Sequence, residues 1–516
     1  MRGWSIISGT GEREMTERSP HNRSRRVTAP VHEIAGLLCA LALSGCGSST
    51  VHREPPLGTS ASVYDDFSTG EISAAKWTEG ERQAVLQDQS AVLSSSIANA
   101  RPNGVYGTEM VMIPPEAGVV TTFRTEIQMA GATLSGDVTD RSGIEVLFQP
   151  AANRIGNDLS NALLVRIILS SEGGGLALRQ VFECTAPDCS SFAGVGTVVH
   201  GDWPREGLPI AADTRYRITI SIDTAAKVFR FWISGGVYDV PKHITIDAST
   251  SVPPFPVDLS PDNFAKARLW SQVRSGPSGG GNGEVNTSFT NVQVGMNGQP
   301  AALFDDFSTG PGFDPSKWTT GQQSVQIVDS MLEFSLSKEG SGTTLPMQLA
   351  DPRVDLLQAD VTVKYWSLAG HGIVSALLQG SMYNDGSGDD NQPGSSTGDI
   401  IATVSMARAR VWYDLVRCDS AGCSSFTAIE TARVLGNVTL GSTHTLVLQW
   451  NRAQQQVLFQ LDDHEVITVD PVADGYPVAS EPNRPFRRIG VRAIPIPANA
   501  LFSGSIVADF DDIKAQ

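Results

Sequence analysis

The sequence predicts an all-β protein: two tandem antiparallel β-sandwich domains behind a signal peptide and a flexible tether. Three observations carry this reading. A unit of about 235 residues occurs twice in the 516-residue chain. Alternating apolar and polar residues mark half-buried strands in both copies. The 50 glycines and 29 prolines interrupt the chain too often for long helices.

From the N-terminus, the first element is a leader, residues 1–45. Its one long apolar run, Ile34 to Leu43, is too short to span a bilayer, which takes about 20 residues, and fits a signal-peptide core. Arg23, Arg25 and Arg26 supply the positive region before it. Residues 1–22 are polar and unlike a signal, which leaves a translation start further in as an alternative. Leu43-Ser44-Gly45-Cys46 resembles the lipobox of bacterial lipoproteins. That resemblance implies cleavage before Cys46, lipidation of its thiol and anchoring in the cell envelope. Gly47, rather than aspartate, follows the cysteine, which implies the outer membrane if the source is Gram-negative. A plain secretory signal with an incidental cysteine is the alternative. Residues 46–62, rich in Ser, Gly and Pro, read as the tether.

The two domains follow at residues 63–296 and 301–516. Asp65-Asp66-Phe67-Ser68-Thr69-Gly70 returns as Asp305-Asp306-Phe307-Ser308-Thr309-Gly310, and Lys76-Trp77 as Lys317-Trp318. Cys184 and Cys189 return as Cys418 and Cys423, and Ile244-Thr245-Ile246-Asp247 as Ile467-Thr468-Val469-Asp470. The order of landmarks holds over a period far too long for a solenoid, so each copy is a whole domain. Within them, Tyr216, Ile218, Ile220 and Ile222 alternate with polar residues, and His444 to Trp450 repeats that strand.

The opening Asp-Asp-Phe-Ser-Thr-Gly, the following Lys-Trp and the closing Phe510-Asp511-Asp512-Ile513 resemble concanavalin A-like lectin/glucanase and laminin-G-like domains. The resemblance implies jelly-roll topology. The first copy departs from it at its end, where Phe289-Thr290-Asn291-Val292 stands in place of Phe510 to Ile513.

Besides Cys46, four cysteines remain after the leader, in two matched pairs around short turns. An oxidising envelope compartment favours disulfides Cys184–Cys189 and Cys418–Cys423 over zinc, because the pairs lie in separate domains. Related glucanases carry Glu-x-Asp-x-x-Glu on one strand, with the carboxylates on one face. No such motif occurs here. Glu126 and its counterpart Asp360 lack a second carboxylate two or five residues on. Asp385, Ser387 and Asp389 alternate in an acidic loop and could supply oxygens to a structural calcium, with a solvated loop as the alternative. A second candidate is Asp305-Asp306 beside Asp511-Asp512, if the ends of that domain pair.

Aromatic rings suit sugar faces. Trp366, Tyr383 and Trp412 cluster in the second copy, which places any glycan site there, although about half the rings of a two-sheet sandwich belong to the core. The net charge of −17, without any Lys/Arg block, argues against nucleic acid as a partner. The expectation is therefore a lipid-anchored envelope protein that binds a polysaccharide or cell-surface glycan without catalysis. A divergent glycoside hydrolase or polysaccharide lyase, and a structural or adhesive surface protein, are the alternatives.

Overall fold

The computed structural model describes residues 61–150, 153, 159–186, 189, 191–249, 258–308, 312–340, 342–387, 396–420, 423, 425–497 and 500–516. The leader, the tether and Cys46 lie outside them. The fold is all-β, 62% strand and 2% helix, in several antiparallel sheets, none closed. Among the described residues no helix is long and apolar enough to cross a membrane.

In the first half, a short sheet runs in the order Phe192–Gly194, Leu176–Cys184, Leu163–Ser170, Val138–Phe148, Phe264–Ser275, Val105–Val111. Ile144, Val165, Ile167 and Leu269 point inward from it and meet Phe123, Ile127, Ile218 and Phe231 in one core. In the second half, the corresponding sheet is Thr343–Gln348, Arg487–Pro495, Gly372–Asn384, Asp399–Met406, Arg410–Cys418, Phe426–Asn437. Its inward residues, among them Ala376, Leu378, Val404 and Val491, pack with Ala359, Val361, Leu448 and Phe459.

The long sheets of the two halves join. Gln322–Val328 pairs with Glu81–Gln87, with Ser324 opposite Gln83. These two residues are repeat equivalents, 241 apart like Lys76 and Lys317. Each strand therefore meets its own counterpart, as in an isologous dimer interface, but within one chain. Gln83 Nε2 donates to Gln326 Oε1 at 2.6 Å, and the Ile327 N–H to Glu81 Oε1 at 2.9 Å.

The opening arm of each repeat closes the other repeat's sandwich. Val63–Asp65 pairs with the chain's last strand, Phe502–Ala515, and Phe67, Ile72 and Trp77 enter the second core. Ala302–Asp305 pairs with Gly283–Met296, and Phe307 and Trp318 enter the first core. The two docked arms match closely. The Trp77 indole donates to Asp65 Oδ2, and the Trp318 indole to Asp305 Oδ2, each at 2.7 Å. The Thr78 N–H bonds Gln348 O and the Thr319 N–H bonds Val111 O, each at 2.9 Å.

A local turn explains the exchange. Asn297 and Gly298 both have positive φ, as the tight hairpin turn of an Asn-Gly pair requires. That turn folds Ala302–Asp305 straight back onto Gly283–Met296. Closing so short a loop costs far less entropy than bringing the distant residues 63–65 to the same edge. The first arm then takes the equivalent edge on the last strand. The repeat boundaries in sequence and the boundaries between cores in space therefore differ by one arm.

Candidate ligand-binding face

The sequence-derived candidates come first. Trp366 is half-buried against the second core and donates its indole N–H to Val374 O at 2.8 Å. Tyr383 is 1% exposed, stacked on Trp450 with its hydroxyl on Tyr476 O at 2.6 Å. Trp412 is 7% exposed, with the Arg410 guanidinium 5.8 Å from its ring. Burial leaves Tyr383 and Trp412 no free ring face for a sugar, and the three rings do not converge on one surface.

In the acidic loop, Asp385 accepts from Arg417 Nε at 2.5 Å and from the Ser387 N–H at 3.0 Å, so a cation of the protein already occupies the carboxylate. Asp389 lies outside the described residues. The arm exchange places Asp65 across from Ile513, so Asp66 rather than Asp306 lies near Asp511. Asp305 instead stands opposite Val292. Asp66 and Asp306 each bond the N–H and hydroxyl of the serine two residues on, shaping the turn. Among the described residues no group of three or more His, Cys, Asp or Glu side chains gathers to hold a metal.

Both cysteine pairs are disulfides, with Cα atoms 4.7 Å apart. Each ties the turn that leads to a ring at matched positions, Phe192 opposite Cys184 and Phe426 opposite Cys418. Phe426 packs against Cys418, Cys423 and Phe486. Phe192 is 65% exposed and touches Phe182, 4.9 Å between ring centroids.

Phe192 stands at one end of the outward face of the first short sheet, where chemistry-bearing side chains do converge. Strand alternation sets Leu147, Glu145, Gly143 and Arg141 on this face of Val138–Phe148, and Lys266, Arg268, Trp270, Gln272 and Arg274 on that of the adjacent Phe264–Ser275. Glu145 lies directly across from Arg166 on one side and from Arg268 on the other. Glu145, 1% exposed, is held by Arg268 at 2.6 Å and by Arg166 at 3.7 Å. Glu109, opposite Trp270, pairs with Arg268 and with Lys266 at 3.1 Å. Arg166 also lies over the Phe182 ring at 4.7 Å and reaches Trp270 at 6.0 Å. Gly143 is required beneath this layer, because a Cβ there would stand 2.0 Å from the Ile167 carbonyl oxygen.

Burial opposes the charge of Glu109, but Arg268 and Lys266 outweigh it and hold its carboxyl down to about 2. Such a carboxylate does not donate a proton near neutral pH and is a weak base. Among the described residues the outward positions of these strands carry no histidine or tyrosine. The face can bind and orient; it lacks a group suited to acid–base work.

A hydrogen-bonded Ser442–His444–Asp462 relay lies elsewhere, in the second half. Ser442 Oγ is 2.7 Å from His444 Nε2, and His444 Nδ1 is 2.8 Å from Asp462 Oδ2. The geometry is that of a nucleophile, base and orienting acid. Ser442 Oγ, however, also bonds Thr439 O at 2.5 Å, and the Ser442 N–H goes to the same carbonyl at 3.1 Å. Its hydroxyl is thus engaged by the Thr439 carbonyl as well as by the imidazole, and its N–H is not turned toward an acyl oxygen.

No protein-family model matches the chain, and no curated protein matches it either.

Proposed function

We propose that this chain is a lipid-anchored cell-envelope protein, carried by Cys46 in the outer membrane, whose jelly-roll domains bind a glycan without turning it over. The sandwich fold is compatible with the lectin-like and laminin-G-like resemblance. The observation that supports binding is the outward face of the first short sheet, where an exposed ring, Phe192, adjoins guanidinium groups, carboxylates and an indole. Rings stack on sugar C–H surfaces, and the polar groups fix the hydroxyls. The observation that weighs against hydrolysis or lyase chemistry on this face is a glutamate held ionised, with no proton-donating partner beside it.

Affinity electrophoresis of the full chain through gels containing a panel of polysaccharides tests the binding. Retardation by at least one, reduced several-fold by Phe192→Ala in a folded variant, is the expected result. Retention by none would favour a structural or adhesive role, and released sugar would favour an enzyme. Cys46→Ala is expected to abolish lipid labelling and membrane association; an unchanged membrane fraction would remove the anchor from the reading.

A further inference from the structure

The chain carries a net charge of −17, yet the outward face of the first short sheet is locally cationic. Arg141, Arg166, Arg268, Arg274 and Lys266 share it with two carboxylates, Glu109 and Glu145. The two carboxylates are consumed by Arg166, Arg268 and Lys266. Among the described residues Arg141 and Arg274 make no ion pair, unlike Arg166, Arg268 and Lys266. Burial lowers Arg274, and the like charge of Arg141 lowers it further. Burial likewise brings Arg166 down to about 10; Glu145 opposes the shift, and Arg141, Arg274 and Arg268 add to it. Positive charge is therefore crowded here without its full complement of anions.

A second observation points the same way. Trp270 is 4% exposed, and its indole N–H is buried without a hydrogen-bond acceptor. A buried donor left unpaired is unfavourable, and an acceptor brought by a ligand would satisfy it. It sits within the row of cations on Phe264–Ser275, between Arg268 and Gln272.

We propose that the ligand of this face is an anionic polysaccharide, one bearing carboxylate or sulfate groups along its chain. The inference rests on the glycan-binding reading above. Guanidinium forks pair bidentately with carboxylate and sulfate oxygens, and the indole N–H supplies a further donor. The row from Lys266 to Arg274 extends about 26 Å at about 3.3 Å per residue, room for several sugars with repeated charge. Phe192 offers an apolar surface at one end. The matched face of the second half presents Gln379, Thr403 and Pro346 where this one has Glu145, Arg166 and Glu109, and it carries no comparable excess of charge.

The test uses the full chain and two matched pairs of probes: polygalacturonate against its methyl ester, and dextran sulfate against dextran. At least one anionic polymer is expected to bind at least ten-fold more tightly than its neutral partner, and more weakly as salt rises. Arg141→Gln with Arg274→Gln should weaken that binding at least ten-fold while the circular dichroism and thermal transition persist. Arg488→Gln in the second half should leave it unchanged. Equal binding of charged and neutral partners, or insensitivity to the arginine pair, overturns the anionic class and leaves glycan binding standing. No binding to any glycan of a wide panel removes both. Arginine-dependent binding to phosphatidylglycerol vesicles but to neither anionic polymer also overturns the polysaccharide assignment.

Discussion

The two sandwiches share a scaffold and differ on one face. Their docked arms agree down to the indole–carboxylate bond, 2.7 Å in both. Across the outward faces of the short sheets the register also agrees, strand for strand, yet the residues diverge. Where the first half sets Gln180, Arg166, Glu145, Arg268 and Glu109 across the sheet, the second sets Asp414, Thr403, Gln379, Arg488 and Pro346. In the second half the polar groups bond one another: Gln379 Nε2 to Thr403 Oγ1 at 2.8 Å, and Arg488 Nε to Gln379 Oε1 at 2.8 Å. Arg492, buried, binds Ser375 and Ser405 at 3.0 and 2.9 Å. This layer is closed on itself, whereas the first has cations and an indole N–H to spare. Duplication kept what holds each sandwich together and left the face that supports no core free to change.

The shared scaffold is the place to break the comparison hardest. Trp77 and Trp318 are both fully buried, each in the core of the other repeat. Replacing either with alanine should cost about 3–5 kcal/mol through lost burial and a residual cavity. Trp77→Ala should loosen the second sandwich and Trp318→Ala the first, read by hydrogen exchange resolved to peptides. Protection lost in the ring's own repeat instead would contradict the arm exchange. On the divergent face, Arg268→Met leaves Glu145 to Arg166 alone and Glu109 to Lys266 alone, and should cost roughly 2–4 kcal/mol. Arg488→Met removes hydrogen bonds to a neutral amide, and should cost only about 1–2 kcal/mol. Similar losses in chemical denaturation would mean the two faces are energetically alike.

How much of this the sequence carries depends on the range of the interaction. The strands, the all-β class and the disulfide partners are legible because alternation and a five-residue cysteine spacing are local signals. The exchange of arms leaves one local signal, the hairpin pair Asn297-Gly298. The cationic face leaves no block of lysines and arginines, since Lys266, Arg268 and Arg274 are spaced apart along one strand and the other charges arrive singly from its neighbours: Arg166 within Leu164-Val165-Arg166-Ile167, Glu145 within Gly143-Ile144-Glu145-Val146. A lone charge inside an apolar strand is the signal to have followed, because it demands a partner on the next strand. The aromatic clusters misled for the converse reason. Tyr383 and Trp412 lie on strands whose two faces are both largely covered, so alternation does not bring one ring of each neighbouring pair into solvent.

Smaller effects sharpen the same contrast. Each disulfide closes a very short loop and so stabilises by only about 2 kcal/mol. Cys184→Ser with Cys189→Ser should nevertheless weaken glycan retention, because that turn positions Phe192. Cys418→Ser with Cys423→Ser should lower thermal stability by a similar amount and leave retention unchanged. Loss of retention in both double variants would detach the disulfide from the ligand-binding face.

The smallest effect is a pH dependence confined to the first half. The carboxyl of Glu109 is lower in the folded protein, about 2, than in the unfolded chain, near 4.5. A depressed carboxyl stabilises the fold above its unfolded value, and that contribution is lost as pH falls toward the folded value. The relevant window is therefore about pH 5 down to pH 2. Solvent reaches 37% of the Glu109 side chain, and screening reduces the contribution to about 1 kcal/mol. Glu109→Gln should lower stability at pH 7 by that amount and differ little from the parent near pH 2. The matched position in the second half is Pro346, which does not titrate, so hydrogen exchange there should show the same acid response in both proteins. A Glu109→Gln deficit that persists unchanged to pH 2 would mean the glutamate acts by packing rather than by its charge.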